Sequence, residues 1–108
     1  MSEKYILNGK TPVKVDDLME WARWFENAKR KVDDTDIAGA HVSTVFLGID
    51  HAFRFGGDKD CAPVLFETMV FRKGKEDTDD MQRRYCTWDE AQQGHNEICD
   101  ILRKELLS

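Results

Sequence analysis

The stretch from Gly39 to Ile49 constrains the fold most, because it is rich in the β-branched and aromatic residues that favour strands. With a period of two, both faces of such a strand carry apolar residues: Val42, Thr44 and Phe46 on one, Ser43, Val45 and Leu47 on the other. A strand that is apolar on both faces is typical of the interior of a sheet. The pattern therefore predicts a central strand here.

Further sequence patterns predict the other strands of the sheet and the loops that join them. Asn8-Gly9 lies between two short apolar runs, Tyr5–Leu7 and Thr11–Val15, and this dipeptide is a strong hairpin signal. Residues 62–71 form a second strong strand pattern, and residues 82–86 a short one. Charged or glycine-containing loops are expected from residue 33, over 50–61 and over 73–80.

Two amphipathic helices are predicted. The first is capped by Asp16 or Asp17 and ends near Lys31 to Val32; its apolar stripe is Leu18, Trp21, Ala22, Phe25, Ala28 and Val32, with Trp24 beside it. The second begins after a Thr87–Glu90 capping box, and its stripe is Ala91, His95, Ile98, Leu102 and Leu106, with Ile101 alongside. Gly94 within this helix suggests a close approach to a strand.

These elements predict an α+β fold in the order ββαβββα, formed by residues 1–108 as a single domain. We expect a two-layer sandwich, with a mixed or antiparallel sheet of four or five strands and two amphipathic helices on one face. The other face would be left to solvent or to a partner. Because Ser43, Val45 and Leu47 make that face fairly apolar, a homodimer through the sheet is one hypothesis.

Charge, apolar content and cysteine spacing limit the kinds of partner that the chain is expected to bind. The net charge is −5 without a basic stripe, which argues against direct nucleic-acid binding. No apolar run is long enough to span a bilayer and no secretory signal is recognisable, so we expect no membrane association and a cytoplasmic location. Cys61, Cys86 and Cys99 show no Cys-x-x-Cys spacing, and are expected to be free thiols. No cofactor motif is present.

Four stretches together resemble a family of small uncharacterised proteins encoded by tailed phages and prophages. They are STVFLGIDH (43–51), LFETMVF (65–71), TWDEAQQGH (87–95), and VDDL (15–18) leading to WARWFE (21–26). The resemblance covers most of the chain, and implies a bacterial host cytoplasm. It implies no activity, cofactor or catalytic residue. Since the sequence also lacks a catalytic signature, the leading expectation is a non-enzymatic accessory protein that binds a host or phage protein, with a small enzyme and an acidic nucleic-acid mimic as the alternatives.

Asp50 and His51 follow the predicted central strand, where a chain leaves the sheet for solvent. An aspartate can orient an imidazole and make it a general base. The alternative is a turn in which Asp50 binds backbone amides.

Glu67 lies in the middle of the second strong strand. An inward carboxylate would be desolvated and could act as an acid. The favoured alternative is an ion pair with Arg54, Arg72 or Arg84 on a neighbouring strand.

His95 lies on the buried stripe of the last helix, where the favoured reading is a satisfied core residue, bonded to a backbone carbonyl or to Glu67. A sharper hypothesis brings His51, Glu67 and His95 together as ligands of a divalent metal, or as the site of a small enzyme that also uses Asp50. Since no signature spacing supports a metal, none is predicted.

Two further hypotheses concern the surface. Trp24 and Trp88 are candidate partner-binding residues, because aromatic side chains dominate interface energetics; the alternative is a broad core. The acidic residues between 76 and 100 could imitate a phosphate array and act against a host defence enzyme. The alternative reading of this cluster is a solvated face.

Overall fold

The structure, a computed structural model, describes residues 3–50, 63–72 and 81–107. The elements are β1 (Lys4–Asn8), β2 (Thr11–Val15), α1 (Leu18–Asn27), β3 (Lys31–Ile37), β4 (Ala40–Phe46), β5 (Phe66–Arg72), β6 (Arg83–Tyr85) and α2 (Trp88–Leu107). In these ranges β1 and β2 form one antiparallel sheet, and β3-β4-β5-β6 a second. The predicted α+β class is confirmed, and β4 is an interior strand.

One strand, β3, was not predicted. The expected helix through Lys31 to Val32 and the expected loop from residue 33 are both wrong: α1 ends at Asn27, and Ala28 is already extended. Aspartate is depleted in strands, which explains the error. Here Asp34 and Asp36 pair in register with Ser43 and His41 of β4, so tertiary pairing overrides local propensity.

The hairpin turns use left-handed backbone. β1 and β2 are joined by Gly9-Lys10, with Gly9 at φ +64°, one residue later than the predicted Asn8-Gly9. β3 and β4 are joined by Ala38-Gly39, at φ +46° and +89°. Two positive φ values match the twist of a tight hairpin, but Ala38 adopts this conformation at a steric cost.

The core lies on one face of the four-stranded sheet, and α2 packs across all four strands. One cluster joins the sheet to the second half of α2, and includes Val42, Val70, Ile98 and Leu102. The other cluster is formed by Phe46, Leu65, Phe66 and Ala91. Trp24 of α1 meets the Phe46 ring edge-on at 5.7 Å, so both helices pack on this face. Neither helix is long and apolar enough to cross a membrane.

Gly48 ties α1 and the β1-β2 hairpin to the end of β4. Its carbonyl accepts hydrogen bonds from the Tyr5 backbone N–H at 2.8 Å and the Trp21 indole N–H at 3.0 Å. A side chain at Gly48 would lie 2.9 Å from the Phe25 ring. The aromatic residues of α1 therefore face inward, whereas Leu18 and Ala22, which were predicted in the buried stripe, are exposed.

The start of α2 confirms its predicted capping box. The Thr87 hydroxyl accepts from the Glu90 backbone N–H at 3.1 Å, and the Glu90 carboxylate accepts from the Thr87 backbone N–H at 3.1 Å. The predicted close approach at Gly94 is also confirmed. A Cβ at this position would lie far inside van der Waals contact with the Tyr85 ring of β6.

Candidate functional site

Asp50 closes the connection that follows β4. Its carboxylate accepts a hydrogen bond from the Val64 backbone N–H at 2.9 Å, and its own N–H donates to the Glu3 carbonyl at 3.0 Å. This is the amide-binding role that the sequence offered as the alternative. His51 lies outside the described residues, so its proposed partnership with Asp50 stays a prediction.

Glu67 forms the cross-strand ion pair that the sequence favoured. One carboxylate oxygen lies 2.8 Å from the Arg84 Nε and 2.8 Å from the Gln82 amide nitrogen. Glu67 and Arg84 are opposite each other in the β5-β6 register. Because Phe66 and Thr68 beside it are buried on the side of α2, Glu67 points to the other face of the sheet.

His95 is a core residue, with 1% of its surface exposed. Its Nδ1 lies 2.7 Å from the Thr44 hydroxyl, and its Nε2 lies 2.9 Å from the Thr35 hydroxyl. The Thr44 hydroxyl also lies 2.5 Å from that of Thr68. The favoured reading of a satisfied histidine is therefore confirmed, although its partners are threonines, and not a backbone carbonyl or Glu67.

Burial lowers the pKa of His95, and this effect outweighs the nearby carboxylates of Asp33 and Asp34, which raise it. Asp33 Oδ2 is 3.7 Å from His95 Nε2. Burial raises the pKa of Asp33, but hydrogen bonds from Gln92 and from the backbone N–H of Asp34, together with His95, bring the net pKa below its ordinary value.

The described candidates do not share one cleft. Glu67 and His95 lie on opposite faces of the sheet, and Asp50 is bonded to Val64 and Glu3 at the chain segment after β4. No group of three His, Cys, Asp or Glu side chains among the described residues is arranged to hold a metal ion. The Glu67–His95 part of the small-enzyme and metal hypotheses is therefore not supported by geometry.

The sequence predicted only part of the hydrogen-bonded chain that links His95 to the three threonines. His95 was recognised on the helix stripe, and Thr44 on the same strand face as Val42 and Phe46. Thr68 is opposite Thr44 in the register, which sequence periodicity alone does not give. Thr35 belongs to the unpredicted strand, so no local signal placed it beside the histidine.

The face of the sheet opposite α2, here called the open face, is formed by alternate residues of the four strands. They are Asp34 and Asp36 of β3, His41, Ser43 and Val45 of β4, Glu67, Met69 and Phe71 of β5, and Arg84 of β6. Phe71 is 46% exposed, whereas Val45 and Met69 are half-buried.

Charges lie on both edges of the open face. His41 Nε2 is 2.5 Å from Asp34, and His41 Nδ1 is 2.6 Å from Asp36, at the β3 edge. Since the two carboxylates bind different ring nitrogens, they do not converge on one point. Arg84, nearly half exposed, lies at the β6 edge.

Trp24 and Trp88 are both half-buried at the rim of the aromatic cluster. Trp88 meets the Phe66 ring edge-on at 6.2 Å, and the Lys10 ammonium lies 5.8 Å from the Trp88 ring centre. Their predicted role in partner binding stays a prediction. The acidic loop residues 76–80 and Cys61 lie outside the described residues.

Comparison with known proteins adds no relative: the chain matches no protein-family model, no curated protein and no solved structure.

Proposed function

We propose that this chain is a phage or prophage accessory protein that works in the bacterial cytoplasm by binding another protein, without catalysing a reaction. The setting rests on the resemblance of the four sequence stretches. The binding role rests on the open face, where the exposed ring of Phe71 is followed along the sheet by Met69 and then by Val45 of β4. The occupant that fits is an amphipathic helix of a host or phage protein.

The size of the sheet supports a helix as the occupant. Three strands of seven residues and one of three residues, about 4.8 Å apart and at about 3.3 Å per residue, give a footprint of roughly 380 Å². A stable dimer buries about 800 Å² on each partner, so this face alone is small for a second copy. On the opposite face α2 already covers the same four strands. One further helix would complete a three-layer arrangement.

The charges of the open face indicate the character of that helix. The β3 edge carries Asp34 and Asp36 against a single lysine, Lys31, whose ammonium lies 3.3 Å from Asp34, and Arg84 places a cation at the β6 edge. A complementary helix carries apolar residues at i, i+3/i+4 and i+7, a basic flank toward β3 and an acidic residue toward Arg84.

Site-specific photo-cross-linking tests this proposal. A photoreactive phenylalanine analogue is placed at Phe71, and in a matched control at Ile101 of α2. Ile101 is 42% exposed, against 46% for Phe71. Cross-linked peptides are then identified by mass spectrometry after irradiation of infected or lysogenic cells.

The proposal expects position 71 to yield one dominant peptide with an amphipathic helical pattern, and position 101 to yield none in common with it. Three outcomes would overturn it. They are a cross-link to a second copy of this chain, the same peptides from both positions, or only unspecific products at position 71.

A further inference from the structure

His95 connects α2 to three strands through hydroxyl groups. Thr35 belongs to β3, Thr44 to β4 and Thr68 to β5, and Thr44 contacts both His95 and Thr68. The chain Thr68–Thr44–His95–Thr35 thus runs across the sheet beneath α2. An ionisable ring is held at the centre of an apolar core by neutral partners.

The neutral imidazole has one donor and one acceptor, so two tautomers are conceivable. The Asp33 carboxylate lies 3.7 Å from Nε2, and its negative charge favours a hydrogen on that nitrogen. Nδ1 then accepts from the Thr44 hydroxyl, and the Thr44 oxygen accepts from the Thr68 hydroxyl. The neutral network therefore has a defined direction, from Thr68 through Thr44 to His95.

A proton added to His95 reverses this direction. Both ring nitrogens of an imidazolium donate, so Nδ1 must donate to the Thr44 oxygen. The Thr44 hydroxyl must then turn toward Thr68, and the Thr68 hydroxyl loses Thr44 as its acceptor and must turn toward the neighbouring Tyr85 hydroxyl.

The charge would also be poorly compensated. From β3 the ring is faced by Asp33, and at longer range by Asp34, while His41 of β4 adds repulsion. The remaining contacts of the ring from β4 and β3 are the hydroxyls of Thr44 and Thr35.

We propose that His95 is a pH-sensitive switch, whose protonation reverses the threonine chain and loosens α2 from the sheet. The inference is independent of the proposed binding function. It makes the docking of α2 depend on acidity through a single buried ring.

The sign follows from the direction of the pKa shift. Burial lowers the pKa of folded His95 below the ordinary value of 6.5, so the unfolded or opened form takes up the proton first. The stability from the neutral ring is complete above that value and declines as the pH falls toward the lowered pKa. Between the ordinary and the lowered pKa, the equilibrium constant for opening rises by up to about tenfold for each unit by which the pH falls, because opening takes up one proton.

Side-chain NMR of the protein labelled with ¹⁵N-histidine tests the first step. At pH 7.5 the His95 spectrum should show hydrogen on Nε2 and a bare Nδ1. Amide hydrogen exchange from pH 7.5 to 5 tests the second step. After correction for intrinsic rates, the amides of Ile98, Cys99 and Leu102 should lose protection up to about tenfold per pH unit, and more than those of β4 and β5.

Variants separate the histidine from other titrating groups. His95→Gln, which cannot be charged, should abolish the pH dependence of α2 exchange, whereas His41→Asn should leave it in place. If His95→Gln does not fold, Thr44→Val serves instead. It removes one hydrogen bond to Nδ1 in both forms of the ring, and because the bond from the charged ring is the stronger of the two, the His95 titration should move to lower pH.

Four results would overturn the proposal: hydrogen on Nδ1 at pH 7.5, His95 titration without loss of α2 protection, equal loss across β4 and β5, or an unchanged acid response in His95→Gln.

Discussion

Gly94 offers the sharpest test of the packing between α2 and the sheet. In an exposed helix, Gly→Ala stabilises by about 1 kcal/mol, because alanine has the higher helix propensity. At Gly94 the added Cβ would overlap the ring of Tyr85. The overlapped atoms are the far end of the Tyr85 ring, so the ring must leave its place against α2 to relieve the overlap.

The expected magnitude is the difference of two effects. Overpacking of a well-packed site costs about 1–3 kcal/mol, and this overlap belongs at the upper end of that range. After subtraction of about 1 kcal/mol of helix propensity, Gly94→Ala should lower the free energy of unfolding by about 2 kcal/mol. In a Tyr85→Val background the overlap is gone, so Gly94→Ala should instead stabilise by about 1 kcal/mol.

Urea unfolding followed by far-ultraviolet circular dichroism measures all four proteins of this double-mutant cycle. The expected coupling between the two positions is about 3 kcal/mol, a magnitude typical of residues in direct contact. Gln93→Ala, at the exposed neighbour, is the control and should change stability by less than about 0.5 kcal/mol. If Gly94→Ala stabilises the wild-type background, or has the same effect in both backgrounds, the close packing of Gly94 on Tyr85 is refuted.

Three further predictions address a turn, a helix cap and the partly exposed carboxylate of Asp33. Ala38→Gly should raise the free energy of unfolding by about 0.5–1 kcal/mol, because glycine adopts the positive φ of 46° without steric cost; a lower urea midpoint would contradict this. Thr87→Ala should cost about 1 kcal/mol through loss of the hydrogen bond to the Glu90 N–H, whereas Thr87→Ser should restore most of it. The pKa of folded Asp33 lies below 3.8, so its contribution to stability is present above that value and is lost as pH falls through the lowered pKa. Asp33→Asn should therefore flatten the fall of the urea midpoint below about pH 4, and an unchanged profile would show that Asp33 is not responsible.

Most of the fold follows from local signals. The capping box of α2 and the alternation of β4 are short-range patterns, and the structure confirms both. The predicted buried stripe of α2 is confirmed from Ala91 to Leu102, but Ile101 and Leu106 are exposed. The failure at β3 has a physical cause. Its three aspartates disfavour a strand locally, and the contacts that offset them come from His41 and Gln92, which are distant in the sequence or on another strand.

The sequence also did not predict which side of α1 faces the protein. An apolar stripe does not reveal which of its margins faces the protein. Trp21 is drawn inward by its bond to the Gly48 carbonyl, and Trp24 by its contact with Phe46, which turns Leu18 outward. Both contacts join positions more than 20 residues apart.

The candidate residues divide in the same way. The sequence named three arginines as possible partners of Glu67. The register of β5 and β6 places Arg84 opposite it, and Arg84 forms the ion pair. The partners of His95 came from three strands, so the sequence identified the buried ring but not the groups that satisfy it.

The most direct test of the binding role uses the helical segment identified at position 71 as a synthetic peptide. Its affinity is measured by fluorescence anisotropy for the wild-type chain, for Phe71→Ser and for the matched control Ile101→Ser. About half of the Phe71 surface remains to be buried, worth about 1 kcal/mol, so Phe71→Ser should weaken binding roughly fivefold. Ile101→Ser should bind like the wild type. Equal affinity for all three proteins, or no binding of the peptide to the wild-type chain, would contradict recognition through the open face.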